Sequence, residues 1–254
     1  MLMIIDLGLL HIHRDRELRS LAIQIELANS IVRRSEIHRL VAVAPMKVKG
    51  LEYLELSARR SGYDIHISPL ERVVDIYSIR RAIVLDPYGD QDLRPKDLAW
   101  AEAIIIGGIV DRTPIKRATR MLRDMNIPWA PTMRISLRGS IVGVPGEINS
   151  IVAIVSRAIE TGDLEGAIGE AQPARDAVLR ASIEIQRILR KTNKDLGFYD
   201  LMEIYRSLKT WLNLDELGML RALIRCGRRD LADLWRRSYM TEKPPQGLES
   251  KLYV

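Results

Sequence analysis

The chain has one cysteine, Cys226, among its 254 residues. It can therefore form no internal disulfide and no zinc site built from several cysteines, and such sparse cysteine usage is typical of a reducing cytosol. No apolar run approaches the ~20 residues that span a bilayer, so we expect no membrane segment and a cytoplasmic location. The N-terminal run MLMIIDLGLL lacks the basic region and cleavage site of a secretory signal, and it predicts a buried strand instead.

Two common nucleotide-binding motifs are also missing. No Gly-Lys-Ser/Thr occurs in the chain, which excludes a Walker loop, and no third glycine opens a helix at the spacing of a dinucleotide fingerprint. His11 and His13 follow the first predicted strand without a third ligand, so we predict no metal site. The glycines of this chain therefore do not indicate ATP or NAD.

The composition indicates a folded, basic protein. Apolar residues make up 47% of the chain, which is enough to bury a substantial core. The 39 Lys and Arg residues exceed the 33 Asp and Glu residues, and the net charge of +6 favours an acidic partner such as nucleic acid.

The first two-thirds of the chain alternates apolar, β-branched runs with amphipathic stretches. This alternation predicts an α/β fold with a parallel sheet that is covered on both faces. The predicted strands are Leu2–Asp6, Leu40–Ala44, Tyr63–Ser68, Ala82–Asp86, Ala103–Ile106 and Met133–Leu137. The predicted helices between them are Arg16–Arg34, Leu51–Ser61, Pro95–Trp100, Pro114–Met125 and Glu147–Glu160.

After Thr161 and Gly162 the pattern is helical only. We therefore predict three regions: an α/β domain over 1–162, a helical domain over 163–243 and an extended tail over 244–254. The helices expected in the second region are Leu164–Ala171, Pro173–Lys191, Phe198–Leu212, Leu214–Cys226 and Arg229–Met240.

Three glycine-containing segments follow predicted strands, and each offers backbone that a ligand can approach closely. They are VLDPYGD (84–90), IIIGGIVD (104–111) and LRGSIVGVPGEIN (137–149). The alternative for each is purely structural: a turn capped by a carboxylate, a β-bulge, or a hinge between strand and helix. Together they predict adjacent strand ends that face one crevice.

Basic residues surround the second glycine segment, namely Arg112, Lys116, Arg117, Arg120 and Arg123, with Arg134 and Arg138 nearby. Such a run is often a solvated helix face. Here the positions spread around the predicted helix, so we interpret them as a basic rim beside the glycines and Asp111. These features suggest a cofactor enzyme that acts on a polyanion.

Four segments occur along the chain in a fixed order: MIIDLGLL, IVLDPYGD, IIIGGIVDRTPIKRAT and ISLRGSIVGVPGEIN. In this order they resemble the catalytic domain of the archaeal tRNA (purine-9-N1)-methyltransferases, which are SPOUT-class enzymes that use S-adenosylmethionine. The resemblance covers roughly residues 1–160. It implies a SPOUT-type parallel sheet whose C-terminal part forms a trefoil knot, a rare exception to unknotted topology. The all-α C-terminal region predicted from the helical pattern lies outside the resemblance.

The resemblance also implies site residues. Asp111 matches the family's candidate general base. The implied cofactor-binding residues are Leu85, Asp86, Pro87, Tyr88, Gly89, Ile106, Gly107, Gly108, Ile135, Leu137, Gly139 and Gly143. The expected RNA contacts are Arg112, Lys116, Arg117, Arg120 and Arg138, with Arg228 and Arg229 in the helical region.

Two features depart from the family pattern. Family members usually carry a basic N-terminal domain, whereas this chain begins at the first strand of the catalytic domain, and Gly146 stands where relatives have an acid. The helical region is then either an RNA clamp that replaces the N-terminal domain or a packing appendage. A monomer is expected by resemblance, with a dimer as the alternative.

The implied partner is tRNA, and either purine can be the target. N1 of guanine carries a proton that Asp111 could accept, whereas methylation at N1 of adenine creates a cation that Asp111 could stabilise. Rival functions are methylation of protein arginine or ribosomal RNA, and a non-catalytic RNA-binding role that retains the fold.

Overall fold

A computed structural model describes residues 1–109, 118–192 and 195–240, except for the side chains of residues 118, 120 and 240. Within these described residues, seven strands form one sheet. They are β1 (Leu2–Asp6), β2 (Arg39–Ala44), β3 (Asp64–Ile67), β4 (Ala82–Leu85), β5 (Gln91–Asp92), β6 (Ala103–Gly107) and β7 (Thr132–Arg134).

The strands are ordered β3-β2-β1-β6-β4-β7-β5, and every neighbouring pair is parallel. The predicted parallel α/β sheet is therefore confirmed. All five residues of β1 are buried, which explains why this strand is apolar throughout rather than alternating. Its neighbours are β2 and β6. At the carboxyl end of β1, Asp6 lies opposite Val43 of β2 and opposite Gly107 of β6.

Helices connect the strands and then continue alone. In the first part of the chain they are α1 (Asp15–Val32), α2 (Leu51–Ser61), α3 (Leu70–Ile76), α4 (Pro95–Trp100), α5 (Ala118–Asn126), α6 (Ile148–Thr161) and α7 (Leu164–Ala171). The later helices are α8 (Ala174–Lys191), α9 (Phe198–Lys209), α10 (Glu216–Arg225) and α11 (Arg229–Trp235), which runs into a π-helical turn at Arg236–Met240. The predicted helical C-terminal region is confirmed.

One face of the sheet packs on α3 and the chain around Ile127–Ala130. Alternate strand residues such as Ile4 and Val41 belong to this core. The residues between them, such as Met3 and Ile5, are equally buried and point to the opposite face, because side chains alternate along a strand. The sheet therefore has a core on each face, and its carboxyl edge is left to loops.

The element predictions missed α3 and β5. The apolar positions of α3 cover about two turns, which is too short a window for helical periodicity, and β5 has only two residues. The last strand runs over Thr132–Arg134 rather than Met133–Leu137, since Leu137 already pairs across a tight turn. The helix predicted over Pro114–Met125 corresponds to α5, and its predicted start, 114–117, lies outside the described residues.

The chain divides into two compact units, Met1–Ala171 and the residues from Gln172 onward. The first unit includes α7, so it ends later than the predicted boundary at 162–163. The predicted division into functional domains, the tail over 244–254 and the trefoil knot remain predictions. Among the described residues, no helix is long and apolar enough to cross a membrane.

Candidate cofactor cleft

An open cleft with a cavity volume of about 140 Å³ lies in the first unit, at the carboxyl edge of the sheet. Carboxyl ends of neighbouring parallel strands are where α/β proteins place ligands, because the loops that leave them diverge. The residues that line it end or follow β4, follow β7, or belong to α6 and the turn before it: Leu85, Asp86, Pro87, Ile135, Ile141, Val144, Pro145, Gly146 and Ile151.

The first wall is the turn that follows β4. Asp86 is 3% exposed, its backbone N–H donates to the Met133 carbonyl at 3.0 Å, and its Oδ1 accepts the Tyr88 N–H at 2.7 Å. The Gly89 N–H closes the turn on the Asp86 carbonyl at 2.9 Å. The Asp86 carboxylate is thus both a turn-former and a polar group of a mainly apolar cleft.

Side chains hold this turn against β7. The Thr132 hydroxyl donates to Asp90 Oδ2 at 3.0 Å, and Arg134 Nε donates to Asp92 Oδ1 at 2.7 Å. The hydrogen bonds from Arg134 and then Ser136 lower the pKa of Asp92 below its usual value. The turn is therefore fixed to the neighbouring strand through two carboxylates.

Gly89 allows the turn to approach β7 this closely. A Cβ at Gly89 would lie 2.5 Å from the Met133 carbonyl carbon and 2.7 Å from the Arg134 nitrogen. Both are backbone atoms of a paired strand, so they cannot move aside easily. Close packing against the strand accounts for this glycine, and its predicted contact with a cofactor remains a prediction.

The second wall is the segment 135–146. The Leu137 N–H donates to the Ser140 carbonyl at 2.8 Å, and the return bond is 3.2 Å. The turn between them has positive φ at Arg138 (49°) and Gly139 (72°). Two consecutive positive φ angles are typical of a two-residue type I′ turn. This turn separates Ile135 from Ile141, so that both side chains reach the cleft.

Helix α6 begins at the cleft and is fixed to α1. The Ile148 N–H donates to Gln24 Oε1 at 2.9 Å, and α1 packs along α6. The preceding turn contains Gly146, where an added Cβ would meet nothing within 4 Å, so the cleft is open on this side.

The glycine pair at the end of β6 does not line the cleft. Ile106 is paired with Leu85 and is 3% exposed. A Cβ at Gly107 would lie 2.5 Å from the Thr119 hydroxyl, and one at Gly108 would lie 2.7 Å from Leu7 Cδ2. Close packing accounts for both glycines, and their predicted contact with a cofactor remains a prediction.

Asp6 is a buried carboxyl group at the same edge of the sheet. It ends β1, is 4% exposed and accepts the Gly8 N–H at 2.9 Å, while its carbonyl accepts the Gly108 N–H at 2.7 Å. Desolvation raises the pKa of Asp6 to about 6, although the hydrogen bond from Gly8 opposes the shift. Two strand spacings separate β1 from β4, or about 10 Å.

The predicted cofactor residues divide into three groups. The structure brings Leu85, Asp86, Pro87 and Ile135 together around the cleft. Tyr88 and Gly89 lie in its first wall and Leu137, Gly139 and Gly143 in its second, but none of these five lines it. Ile106, Gly107 and Gly108 lie at the neighbouring strand end.

The predicted catalytic and rim residues Asp111, Arg112, Lys116 and Arg117 lie outside the described residues, as does the side chain of Arg120. Arg138 is described: its Nε lies 3.8 Å from Glu165 Oε2, and both side chains are about half exposed.

In the second unit, Arg228 differs from Arg229. Arg228 makes short hydrogen bonds to both carboxylate oxygens of Asp230, the shortest 2.6 Å, whereas Arg229 is exposed at the start of α11. Arg221 and Arg225 are exposed one turn apart on α10. Within the described ranges, no carboxylate lies at ion-pair distance from these three exposed arginines.

Ile141, Val144, Pro145 and Gly146 lie in the predicted segment 137–149 but were not named as cofactor residues. Ile151 lies beyond that segment, and Asp6 was given no role. The motifs that contain most of them were visible, but apolar side chains in a loop carry no chemical signal of their own. Asp6 had one signal, a carboxylate inside an otherwise apolar strand. No group of three or more potential metal ligands occurs among the described residues.

Comparison with known proteins gives relatives for most of the chain. The family described as "Protein arginine N-methyltransferase SFM1-like" matches residues 39–135. A tRNA (adenine(9)-N1)-methyltransferase of Sulfolobus acidocaldarius is 30% identical over 216 residues, which are 84% of this chain and 65% of the relative. A tRNA (guanine(9)-/adenine(9)-N1)-methyltransferase of Thermococcus kodakarensis is 29% identical over 57% of this chain and 42% of its own length. The chain thus spans less than two thirds of the length of these two curated relatives.

Solved structures give the same neighbours. The Sulfolobus acidocaldarius Trm10 in complex with S-adenosylhomocysteine has a TM-score of 0.62 and 27% identity, covering 88% of this chain and 67% of its own. The dual-specific Trm10 of Thermococcus kodakarensis has a TM-score of 0.58 and 26% identity, covering 67% of this chain and 98% of its own. The resemblance predicted from the four sequence segments is confirmed.

Proposed function

We propose that this chain, which resembles the archaeal tRNA (purine-9-N1)-methyltransferases in sequence and in fold, is an S-adenosylmethionine-dependent methyltransferase that modifies N1 of the purine at position 9 of tRNA. The target is adenine, guanine or both. The observation that carries the proposal is the cleft, because two of the three segments implied by the resemblance meet there.

The cleft fits a molecule that has an apolar ring system and a few polar groups. Its lining is apolar except for the Asp86 carboxylate and backbone groups, as is usual for pockets that bind small ligands. Leu85, Ile135 and Ile141 would hold the adenosine part by apolar contact. Asp86 would accept a hydrogen bond, and the backbone at Gly146 permits close approach.

When bound, S-adenosylmethionine supplies an electrophilic methyl group. The protein contributes mainly by holding the two reactants in register, which removes most of the entropic cost of their encounter. The purine at position 9 must leave the tRNA body to reach the cleft. The hydrogen bonds of Asp90 and Asp92 to β7 keep the first wall in place for that approach.

In this proposal a carboxylate accepts the proton of guanine N1, and Asp111 is the candidate base implied by the resemblance. Asp6 has no such role here, because it is buried two strand spacings from β4 and does not line the cleft. For adenine no proton transfer is needed, and a carboxylate would act by stabilising the cationic product.

Binding of tRNA would use arginines on both sides of the 162–163 boundary. The resemblance and the basic sequence support the rim residues and Arg138, and the exposed arginines of α10 and α11 support a second set. Arg228 is the weaker member of that set because Asp230 already binds its guanidinium. A cytoplasmic location and a monomeric state are part of the same proposal.

Nucleoside mass spectrometry tests the activity directly. Unmodified tRNA is incubated with the protein and S-adenosylmethionine, then digested, and we expect N1-methyladenosine, N1-methylguanosine or both at position 9 only. A tRNA with a pyrimidine at position 9 is the matched control. Absence of any methylated purine with a folded, cofactor-binding protein would refute the tRNA activity.

The match of residues 39–135 to a protein arginine methyltransferase family favours one second candidate function. In that case the same cleft would present the methyl group to a guanidinium instead of a purine. Incubation of the protein with arginine-containing peptides or cell extract, followed by mass spectrometry for methylarginine, distinguishes the two. The tRNA activity is favoured because the similarity to a tRNA methyltransferase covers 216 residues of this chain, well beyond the 39–135 segment.

A further inference from the structure

A groove between the C-terminal ends of α1 and α2 differs in character from the cofactor cleft. It has a cavity volume of about 370 Å³, and every described residue that lines it is polar or charged. The lining consists of Arg33, Arg34 and Arg60 with Glu26, Asn29 and two serines. The cleft, by contrast, is mainly apolar. The groove therefore suits a hydrated, charged ligand rather than an apolar ring system.

The positive charge of the groove is only partly neutralised. Arg60 Nη2 lies 2.6 Å from Glu26 Oε1, so these two charges are paired. Among the described residues, no carboxylate lies at ion-pair distance from the guanidinium of Arg33 or Arg34, and both arginines are exposed. Three guanidiniums thus share one carboxylate, and the groove keeps two positive charges for an anion.

The helix ends do not require these two guanidiniums. Basic side chains often follow a helix because they bond its last carbonyls and complement its dipole. Here the buried Asn29 already donates its Nδ2 to the Ser61 carbonyl at 2.8 Å, whereas Arg33 Nη1 is 3.5 Å from the same oxygen. Arg34 bonds the Ser30 carbonyl through Nε at 3.0 Å and the Ser30 hydroxyl through Nη2 at 3.3 Å. Each guanidinium has five N–H donors, so both arginines keep several for a ligand.

The groove lies on the helix that also borders the cleft. Gln24 marks the cleft end of this path, because its Oε1 accepts the N–H of Ile148 at the start of α6. Arg33 follows nine residues later, which is about 14 Å along α1. A nucleic-acid duplex advances about 3.4 Å per base pair, so about four base pairs cover that distance. An RNA with one nucleotide at the cleft could therefore reach the groove.

We propose that the groove between α1 and α2 binds backbone phosphates of the tRNA, a few nucleotides away from the purine that enters the cleft. A guanidinium presents paired N–H donors that match the oxygens of a phosphate. This inference rests on the proposed function. It adds an RNA contact surface to the first unit that none of the glycine motifs or their basic rim contains.

The test removes both unpaired charges in the variant Arg33→Gln with Arg34→Gln. We expect the Kd for tRNA to rise at least about tenfold, and the dependence of log Kd on log salt to become shallower by about 1.4–1.8, as for two lost phosphate contacts. The unfolding temperature should stay within about 2 °C of the wild type, because exposed charges contribute little to stability. The Kd for S-adenosylmethionine should be unchanged.

Arg72→Gln with Arg80→Gln is the matched control. It removes two exposed arginines from α3 and the segment after it, on the opposite face of the sheet, since α1 and α2 both follow crossovers in one direction and α3 follows the reverse one. We expect less than about a twofold change in the Kd for tRNA. Ethylation interference then locates the contact: phosphates whose ethylation blocks binding to the wild type should no longer matter for the Arg33 and Arg34 variant, and they should lie a few nucleotides from position 9.

Three results would overturn the inference, and they separate it from the proposed function. If the wild type methylates tRNA but the groove variant has the tRNA Kd and salt dependence of the control, the groove is wrong and the function stands. If calorimetry shows saturable binding of inorganic pyrophosphate that the groove variant loses while its tRNA affinity is unchanged, the groove takes a free anion instead of RNA. If the wild type neither binds nor methylates tRNA, both proposals fail.

Discussion

In the first unit the buried carboxyl groups Asp6 and Asp86 lie where parallel strands end, and backbone N–H groups hold them. In the second unit the buried charge is Arg180, which lies on a helix 2.8 Å from Glu184 and over the Trp211 ring. A sheet edge presents polar groups to a space that a ligand can enter. In the helical unit this buried charge is paired with a carboxylate of the same helix.

The two units also differ in the burial of their aromatic side chains. Trp235 in the second unit is fully buried, stacks on Tyr239 at 4.7 Å and donates to the Glu216 carbonyl at 3.1 Å. Trp100 and Trp129 in the first unit are 44% and 50% exposed. The first unit therefore derives its stability from aliphatic strands, and the second depends on a few large aromatic side chains.

The largest effect we predict is for Trp235→Ala. Loss of this buried ring should lower the free energy of unfolding by about 3–5 kcal/mol in urea titrations followed by circular dichroism. Trp129→Ala, the half-exposed control, should cost less than about 1 kcal/mol. Cofactor affinity, measured by calorimetry below the unfolding range, should be unchanged in both. If Trp235→Ala also lost cofactor binding, the expectation that cofactor affinity does not depend on this ring would be wrong.

Next in size is the effect of Asp6→Asn. The folded-state pKa of Asp6, about 6, lies above the ordinary value of 3.8, so the wild-type protein loses stability as pH rises from about 4 to 6 and the unfolded state ionises first. Removing the carboxylate should therefore raise the free energy of unfolding above pH 6 by up to about 3 kcal/mol relative to its effect at pH 4. Chemical denaturation at pH 4, 5, 6 and 7 measures this, with the exposed Asp75→Asn as control. If the difference in unfolding free energy between Asp6→Asn and the wild type does not grow with pH, Asp6 is not desolvated.

Gly89→Ala should have an intermediate effect, confined to the first unit. The new Cβ would force the turn after β4 away from Met133 and Arg134, at a cost of about 1–3 kcal/mol. Because that turn is a wall of the cleft, cofactor affinity should fall as well. Gly146→Ala meets no atom and should leave the unfolding free energy unchanged. Wild-type cofactor affinity in Gly89→Ala would show that the turn after β4 is not part of the cofactor site.

The smallest effect on stability belongs to the exposed arginines of the second unit. Arg221→Gln with Arg225→Gln should change the free energy of unfolding by less than about 0.5 kcal/mol. The dependence of log Kd for tRNA on log salt should nevertheless become shallower by about 1.4–1.8, the expected change for two lost phosphate contacts. Arg228→Gln is the matched control, because Asp230 already occupies that guanidinium. An equal change in the salt dependence for Arg228→Gln would show that net charge, rather than contacts of particular arginines, governs tRNA binding.

Sequence patterns predicted the sheet and most helices because apolar periodicity over a whole element survives tertiary packing. They failed for α3 and β5, whose few residues carry too little pattern. For the site, the segments around Asp86 and Ile135 were found through motifs, and both line the cleft. Val144 and Ile151 could not be found, because an apolar side chain looks the same in the sequence whether it lines a cleft or fills a core.

The sequence by itself determined the parallel sheet, the change to helices after Gly162 and the family resemblance, since these depend on periodicity and on short local motifs. Only the tertiary structure decided which glycines face a cavity and which are required by packing. An added Cβ would lie 2.5 Å from the Met133 backbone at Gly89 and 2.5 Å from the Thr119 hydroxyl at Gly107, whereas Gly146 faces open space. It also decided that Asp6 is desolvated and that Arg228 is paired while Arg225 is exposed, because burial and ion pairing depend on neighbours that the chain brings together only on folding.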